Sequence, residues 1–425
     1  MTLDHTSEQL RRLLHWQAGQ KPAPGPTTIT LFLTNICNLG CVHCWQRWGD
    51  YDKTYETEVS DERLLRLVDE AAEMGTRWWY FVGGGEPMGR GKLVMQMCRR
   101  IRDCGMNGTL HTNGTLFRRG MLEALVDMQW AQVTVSLDGP NAEINDHIRT
   151  AGFEKATAAV RHLSQLKHVH NVPLPEIRLL VTVTNLTYDK IVHFVELAYD
   201  LGSDVRIELS SLIVEGELSG QLELTAEQKK AYAGYVRRAL ARAQELGVPN
   251  NFERYCNEGI VHDGMDMHHD YVHVVSGGLV PSMCYEPWTS LSMLPDGSVG
   301  PCCAAGDPSA QSLRYLSLAE VWYGTYMNQV RDGMLTGRPP DYCQRCPSNL
   351  FVEKEHRRKT FSLPLRQQLE LGAWGLPGRV WLPMLRYFAA KGVMSLKEIG
   401  VRRTIERGTR WARSRRSVKT TSGLR

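Results

Sequence analysis

Three thiols follow closely in Thr34-Asn35-Ile36-Cys37-Asn38-Leu39-Gly40-Cys41-Val42-His43-Cys44. The C-x3-C-x2-C spacing lets Cys37, Cys41 and Cys44 converge on one metal centre from a single loop. Thiolates are soft ligands and select zinc or iron–sulfur clusters. Structural zinc closes its shell with four ligands, and no fourth cysteine is local; His43 is hemmed between Val42 and Cys44. Three ligands suit a cluster with one open iron, hence a reaction centre. A second group, Cys284, Cys302, Cys303, Cys343 and Cys346, lies far downstream, and its thiols serve a zinc knuckle or a second cluster. Cys303 follows Cys302 directly and cannot join the same centre in the same register, so it is a spare. Cys98 and Cys104, six apart on a predicted helix, read as core, and Cys256 as a buried, inert thiol.

The elements around the first loop repeat a simple unit. Strands are expected at Thr28 to Leu33, Arg77 to Val82, Asn107 to Thr112, Ala131 to Leu137, Ile177 to Val183 and Val205 to Leu209. Helices fit between them at Asp61 to Met74, Phe153 to Leu166 and Tyr188 to Leu201, and a long one follows at Thr225 to Leu246. Successive βα units require a parallel sheet. In the later strands one face is apolar and the other polar, as in Val133, Val135 and Leu137 against Gln132, Thr134 and Ser136. A sheet covered on both faces reads as continuous apolar runs. The alternation therefore favours a barrel around a ligand-sized cavity, with its site at the C-terminal strand ends where Cys37 follows the first strand. Glu208, Arg206, His111 and Arg178 then face inward.

At 425 residues, 42% hydrophobic and 23% charged, the chain is a folded protein of two or three domains rather than a disordered or polytopic membrane one. It has no apolar run of about eighteen residues and no secretory signal at its start, so a reducing cytoplasmic setting is expected, where grouped thiols are ligands rather than disulfides. The net charge of +4 conceals an asymmetry: residues 351–425 hold 18 Lys/Arg against 5 Asp/Glu, or +13, which leaves −9 on the rest. The expected organisation is an N-terminal extension (1–27), a barrel (28–249), a cysteine-rich domain (250–350) with strand-like pieces at Tyr271 to Val275 and Ser290 to Leu294, and a basic, partly helical tail (351–425). In the tail, Trp374, Trp381 and Arg386 precede the basic run Arg402 to Arg416. Such a segment meets a membrane surface or a partner, or is simply a solvated tail; no specific nucleic acid is expected.

Cys37, Cys41 and Cys44 after the first strand, with four later motifs in order, resemble the signature of the radical S-adenosylmethionine (SAM) superfamily. Gly83-Gly84-Gly85-Glu86-Pro87 is similar to the family's glycine-glycine-glutamate motif. Thr112-Asn113-Gly114-Thr115, Ser136-Leu137-Asp138-Gly139-Pro140 and Arg149 resemble its third- and fourth-strand elements. The resemblance covers about residues 28 to 215 and implies an α/β fold, a partial (β/α)6 TIM-like barrel. The spacing from Cys284 through Cys302 to Cys343-x2-Cys346 resembles the SPASM and twitch subgroup. The full SPASM pattern would place another cysteine where Val352 stands, so the twitch form, one auxiliary [4Fe–4S] cluster on Cys284, Cys302, Cys343 and Cys346, is implied.

For this family the resemblance implies a SAM-binding [4Fe–4S] cluster on Cys37, Cys41 and Cys44. An electron from a donor such as flavodoxin or ferredoxin then cleaves SAM to a 5′-deoxyadenosyl radical that abstracts hydrogen from the substrate. It places Gly84, Gly85, Glu86, Asn113, Ser136 and Arg149 around SAM, with the glycines letting the backbone approach it. Glu208 and His111 are the candidate proton acceptors, and a structural ion pair or hydrogen bond is the competing reading for both. An auxiliary cluster near the substrate points to oxidation. Only 27 residues precede the first strand, fewer than the peptide-recognition domain of peptide-modifying relatives, which turns the expectation toward a small molecule of the sugar or aminocyclitol class. A peptide maturase forming a crosslink or thioether with a separate peptide-binding partner is the alternative. A zinc-stapled nucleic-acid-binding protein is the alternative of another class.

Overall fold

The computed structural model describes residues 25–44, 53–118, 120–214, 216–256, 286–302, 311–336, 338 and 340–344. The N-terminal extension before residue 25, the piece Tyr271 to Val275, Cys284, Cys303, Cys346 and the basic tail lie outside the described residues.

The expected βα alternation is present. Strands β1 (Thr28–Phe32), β2 (Trp78–Val82), β3 (Asn107–Thr112), β4 (Gln132–Ser136), β5 (Glu176–Val183) and β6 (Val205–Ser211) pair in sequence order, all parallel. Between them run α1 (Asp61–Glu73), α2 (Gly91–Asp103), α3 (Met121–Asp127), α4 (Ala142–Arg149), α5 (Phe153–His170) and α6 (Ile191–Leu201), and α7 (Ala226–Leu246) follows β6. Local chemistry sets the helix ends. Ser60 accepts the Arg63 N–H at the start of α1, and Thr225 and Gln228 form a reciprocal capping box at the start of α7. The α6 helix begins at Ile191 rather than Tyr188, because Thr184 and Thr187 bond to each other in a turn first.

Alternation in burial is present on β5 and β6. On β4, by contrast, Gln132 and Thr134 are buried along with Val133 and Val135, Gln132 bonding the Thr109 hydroxyl and Glu176. On β5, Ile177, Leu179 and Val181 are fully buried against the helices, while Arg178, Leu180 and Thr182 face the interior and keep partial exposure. Each such apolar side chain contributes about 1.5–3 kcal/mol on burial. The architecture is the partial (β/α)6 barrel.

The cysteine-rich region is more closely joined to the barrel than a separate appendage would be. After α8 (Glu286–Thr289), strand β7 (Ser290–Met293) pairs in parallel with β1, and β8 (Val299–Gly300) returns antiparallel to it. The sheet thus has eight strands, in the order β6-β5-β4-β3-β2-β1-β7-β8. Arg63 of α1 donates to the Leu313 and Leu316 carbonyls, and Glu70 accepts the Leu318 N–H. Helices α9 (Leu318–Trp322) and α10 (Thr325–Thr336) follow in this region. At the opposite edge, the Pro249 carbonyl accepts the Ile207 N–H and the Asn251 amide bonds both backbone groups of Leu209, which caps β6.

Candidate functional site

The loop from Leu33 to Cys44 leaves β1 at the C-terminal end of the barrel and is fastened on every side. Buried Glu58 accepts from the Thr34 hydroxyl (2.6 Å) and the Asn35 N–H (3.0 Å), and Arg90 donates to Glu58 and to the Leu33 carbonyl. The turn after β2 is sutured to the loop by two backbone bonds, Gly85 N–H to Thr34 O (2.6 Å) and Glu86 N–H to Ile36 O (2.9 Å). Asn113, after β3, donates to Asn38 (2.9 Å) and accepts from both the N–H and the hydroxyl of Thr115. On the far side the loop meets the end of α4, through Val42 N–H to Ile148 O (2.8 Å) and Gly40 N–H to the Thr150 hydroxyl (3.0 Å).

The three thiols therefore share one mouth. Cys41 is buried, Cys44 half-buried and Cys37 exposed. Burial raises the Cys37 thiol and takes Cys41 up to about 11, opposed in Cys41 by the nearby Arg149 cation and reinforced by the neighbouring thiols. Metal loading would release these protons. Within the same loop His43 Nδ1 is buried with no hydrogen-bond partner. Among the described residues no three His, Cys, Asp or Glu side chains close round a single ion. Ligands that each take a separate iron of a cubane stand farther apart than ligands sharing one ion. The donor set, the fixed loop and the orphaned imidazole nitrogen fit an iron–sulfur cluster held by Cys37, Cys41 and Cys44.

The residues expected around SAM divide into two kinds. Glu86 is 3% exposed and already accepts from the Thr112 hydroxyl, the Met88 N–H and the Asn113 N–H, so one acceptor position on Oε2 is left. Burial raises its carboxyl, against those hydrogen bonds. The Asn113 amide is taken up by Asn38 and Thr115. At Gly83 and Gly85 a Cβ would lie 2.0 Å from a backbone oxygen, of Gly85 and of Ile36 respectively. The chain's approach to itself, not only to a cofactor, requires them. Gly84 sits in the same turn. Ser136, half-buried at the end of β4, makes no protein hydrogen bond with its side chain among the described residues. Arg149 donates Nη1 to Asp138 (2.5 Å).

Below this mouth the inward side chains form one network. Glu208 Oε1 accepts from Arg178 (2.8 Å) and Arg206 (3.2 Å), and Arg178 also donates to Glu176 (2.9 Å). The competing reading of Glu208 as an ion pair describes its geometry. Strand register sets His111, Thr134, Arg178 and Arg206 in one row. The His111 ring lies 6.3 Å from that of Tyr80. Burial and the Arg178 charge lower its imidazole to about 4, so it is neutral at pH 7. An unfolded histidine near 6.5 binds the extra proton between those values. Stability from this group is therefore complete above about pH 6.5 and lost as pH falls toward 4. A His111→Gln variant is expected to lose that part of the acid limb, read from urea midpoints across this range.

Tyr80, Glu58, Arg90, Asn38 and Thr182 escaped the sequence reading, since none has a partner nearby in sequence. Of the second cysteine group, Cys302 is half-buried just after β8. Cys343 lies in the short helical turn Asp341–Gln344. Cys98 is in the core as expected, whereas Cys104 is exposed at the end of α2, and Cys256 is half-buried.

A six-stranded parallel barrel with a three-cysteine loop at its mouth, extended by a second cysteine-bearing region, defines a cluster-dependent barrel protein. The Radical SAM superfamily model matches residues 31–198, and the SPASM model, an iron-sulfur cluster-binding domain, matches 284–347. The chain belongs to the radical SAM superfamily, in its SPASM/twitch subgroup, and its cofactors are SAM and [4Fe–4S] clusters. It is similar to the mycofactocin maturase MftC of Mycolicibacterium smegmatis, with 30% identity over 48% of this chain and 50% of that protein. Against an AdoMet-dependent heme synthase of Methanosarcina barkeri it is 31% identical over 42% of this chain and 48% of that protein. These matches span about half of each relative's length. A PqqA peptide cyclase of Ruegeria pomeroyi is 26% identical over 78% of this chain and 82% of that protein. In fold, the chain resembles SuiB of Streptococcus suis bound to S-adenosylmethionine, with a TM-score of 0.55 at 15% identity, covering 77% of this chain and 72% of that one. Among the described residues no helix is long and apolar enough to cross a membrane.

Proposed function

We propose that this protein is a radical SAM enzyme that oxidatively modifies a peptide, forming a crosslink or thioether. The observation that carries this is the match to the PqqA peptide cyclase, which runs over 78% of the chain rather than over the barrel alone. The shorter matches, to a maturase and to a heme synthase, leave the substrate open by themselves. The sugar or aminocyclitol reading rested on the short stretch before β1. That stretch does not bear on a recognition element supplied by a separate partner, and the long match weighs toward the peptide.

When bound, the cluster and SAM supply a hydrogen-abstracting radical at the mouth of the barrel. The chain's own residues hold and orient. Cys37, Cys41 and Cys44 would hold the cluster, and Ser136, Arg149 and the free acceptor position of Glu86 would bind SAM. Beneath them, Glu176, Arg178, Arg206 and Glu208 are already paired, so the cavity offers a fixed polar lining without an uncompensated charge. Neutral His111 accepts a proton from the substrate, and Glu208 Oε2 stands as the other acceptor. Cys284, Cys302, Cys343 and Cys346 would hold an auxiliary [4Fe–4S] cluster, which would supply an electron acceptor for the oxidation, and a flavodoxin or ferredoxin would be the electron donor.

Co-expression with each short peptide encoded beside the gene tests this reading. One peptide is expected to lose the mass of two hydrogens in the presence of the active protein and not of a Cys41→Ala variant. No mass change in any peptide, with a changed metabolite instead, would return the small-molecule reading.

A further inference from the structure

A further buried carboxylate near the site, Asp138, ties the cysteine loop, α4 and β5 together. Asp138 follows β4 and is fully buried. Its Oδ2 accepts from Arg149 Nη1 (2.5 Å) and lies 3.4 Å from His43 Nε2 in the cysteine loop. Its Oδ1 accepts the Thr182 N–H of β5 (2.8 Å), and its own N–H donates to Asn145 of α4 (3.0 Å). A buried carboxylate with both oxygens used is fixed in direction. The arrangement parks one guanidinium nitrogen of Arg149. Its Nη2 and Nε make no hydrogen bond to protein among the described residues, so the rest of the fork is free for a second anion.

We propose that Asp138 is a positioning residue for SAM: it aims the unused edge of Arg149 at the SAM carboxylate and ties that arginine to the cysteine loop through His43. SAM affinity then depends on a carboxylate that SAM does not touch. The inference rests on Arg149 meeting SAM, and the test separates the two. Asp138→Asn is the informative change. The amide oxygen can still accept the Thr182 N–H, but the NH2 group then faces the Arg149 guanidinium donor to donor.

The experiment uses anaerobically reconstituted holoenzyme. Iron per chain, the change in the reduced cluster's electron paramagnetic resonance spectrum on adding SAM, and the SAM Kd are measured for wild type, D138N, Arg149→Met and the double variant. D138N is expected to keep its iron and to bind SAM about tenfold or more weakly, as loss of a charge-assisted contact would give. Its spectrum should stay in the SAM-free form at concentrations that convert wild type. The double variant is expected to be no weaker than R149M, because both changes act through one group. Wild-type affinity in D138N alongside weak binding in R149M overturns the proposal, and so does simple additivity in the double variant. Wild-type affinity in R149M overturns the SAM role of Arg149 itself. Should D138N fail to load iron, Arg149→Lys gives the second reading. A lysine held by Asp138 has no second edge to offer, so SAM binding is expected to weaken as in R149M with iron retained. Wild-type affinity in R149K contradicts the proposal.

Discussion

A Cys41→Ala protein, reconstituted anaerobically, is expected to hold about four irons per chain where wild type holds about eight, and to cleave no SAM. Cys41 is the buried member of the three thiols, and its loop is fixed from β1, the turn after β2, the loop after β3 and the end of α4. A neighbouring side chain cannot move in to replace it without breaking those bonds. The control is Cys104→Ala. That thiol is exposed at the end of α2, outside the loop, and its loss should leave iron and SAM cleavage unchanged. Loss of iron in C104A, or full iron in C41A, would put the cluster elsewhere.

Glu86→Ala is expected to cost about 3 kcal/mol or more of folding stability, and SAM binding with it. The carboxylate is almost wholly buried and accepts three hydrogen bonds, and its removal strands the Thr112 hydroxyl and the N–H groups of Met88 and Asn113. Each buried donor left without a partner costs about 1–3 kcal/mol. Arg149 also loses a nearby opposite charge. Equilibrium denaturation of the cluster-free protein reads the stability change apart from any metal effect. Glu86→Gln should lie between, since Oε1 keeps its two donors while the new NH2 group opposes the Asn113 N–H. A wild-type midpoint in Glu86→Ala would mean that the turn after β2 does not need this hub.

These two residues also mark what the sequence made legible. Cysteine is a scarce residue with few uses at C-x3-C-x2-C spacing, so the loop could be located from type and spacing alone. The strands were legible for a related reason, because a sheet with one helix-covered face alternates strictly, as β5 does. What holds the loop was not legible. Glu58 and Arg90 are ordinary charges 32 residues apart, and only the packing of the loop before α1 against α2 brings them to Thr34 and Leu33. The role of Asp138 depends on Arg149 and Thr182 arriving from two other elements. Strand β7 was expected as part of an appendage, and its pairing with β1 depends on a long-range register with no local signal. The glycines were expected to let the backbone approach SAM, and at Gly83 and Gly85 the backbone meets this chain itself, since a glycine does not say what approaches it.

The central claim is that the three-cysteine mouth is the SAM-cleaving centre of a radical enzyme. Its most direct test is to count 5′-deoxyadenosine and methionine released when the reconstituted protein meets SAM and a strong reductant. The account predicts both products in equal amounts, dependent on iron, sulfide and reductant. A protein that takes up zinc in place of iron and leaves SAM intact under those conditions would contradict it.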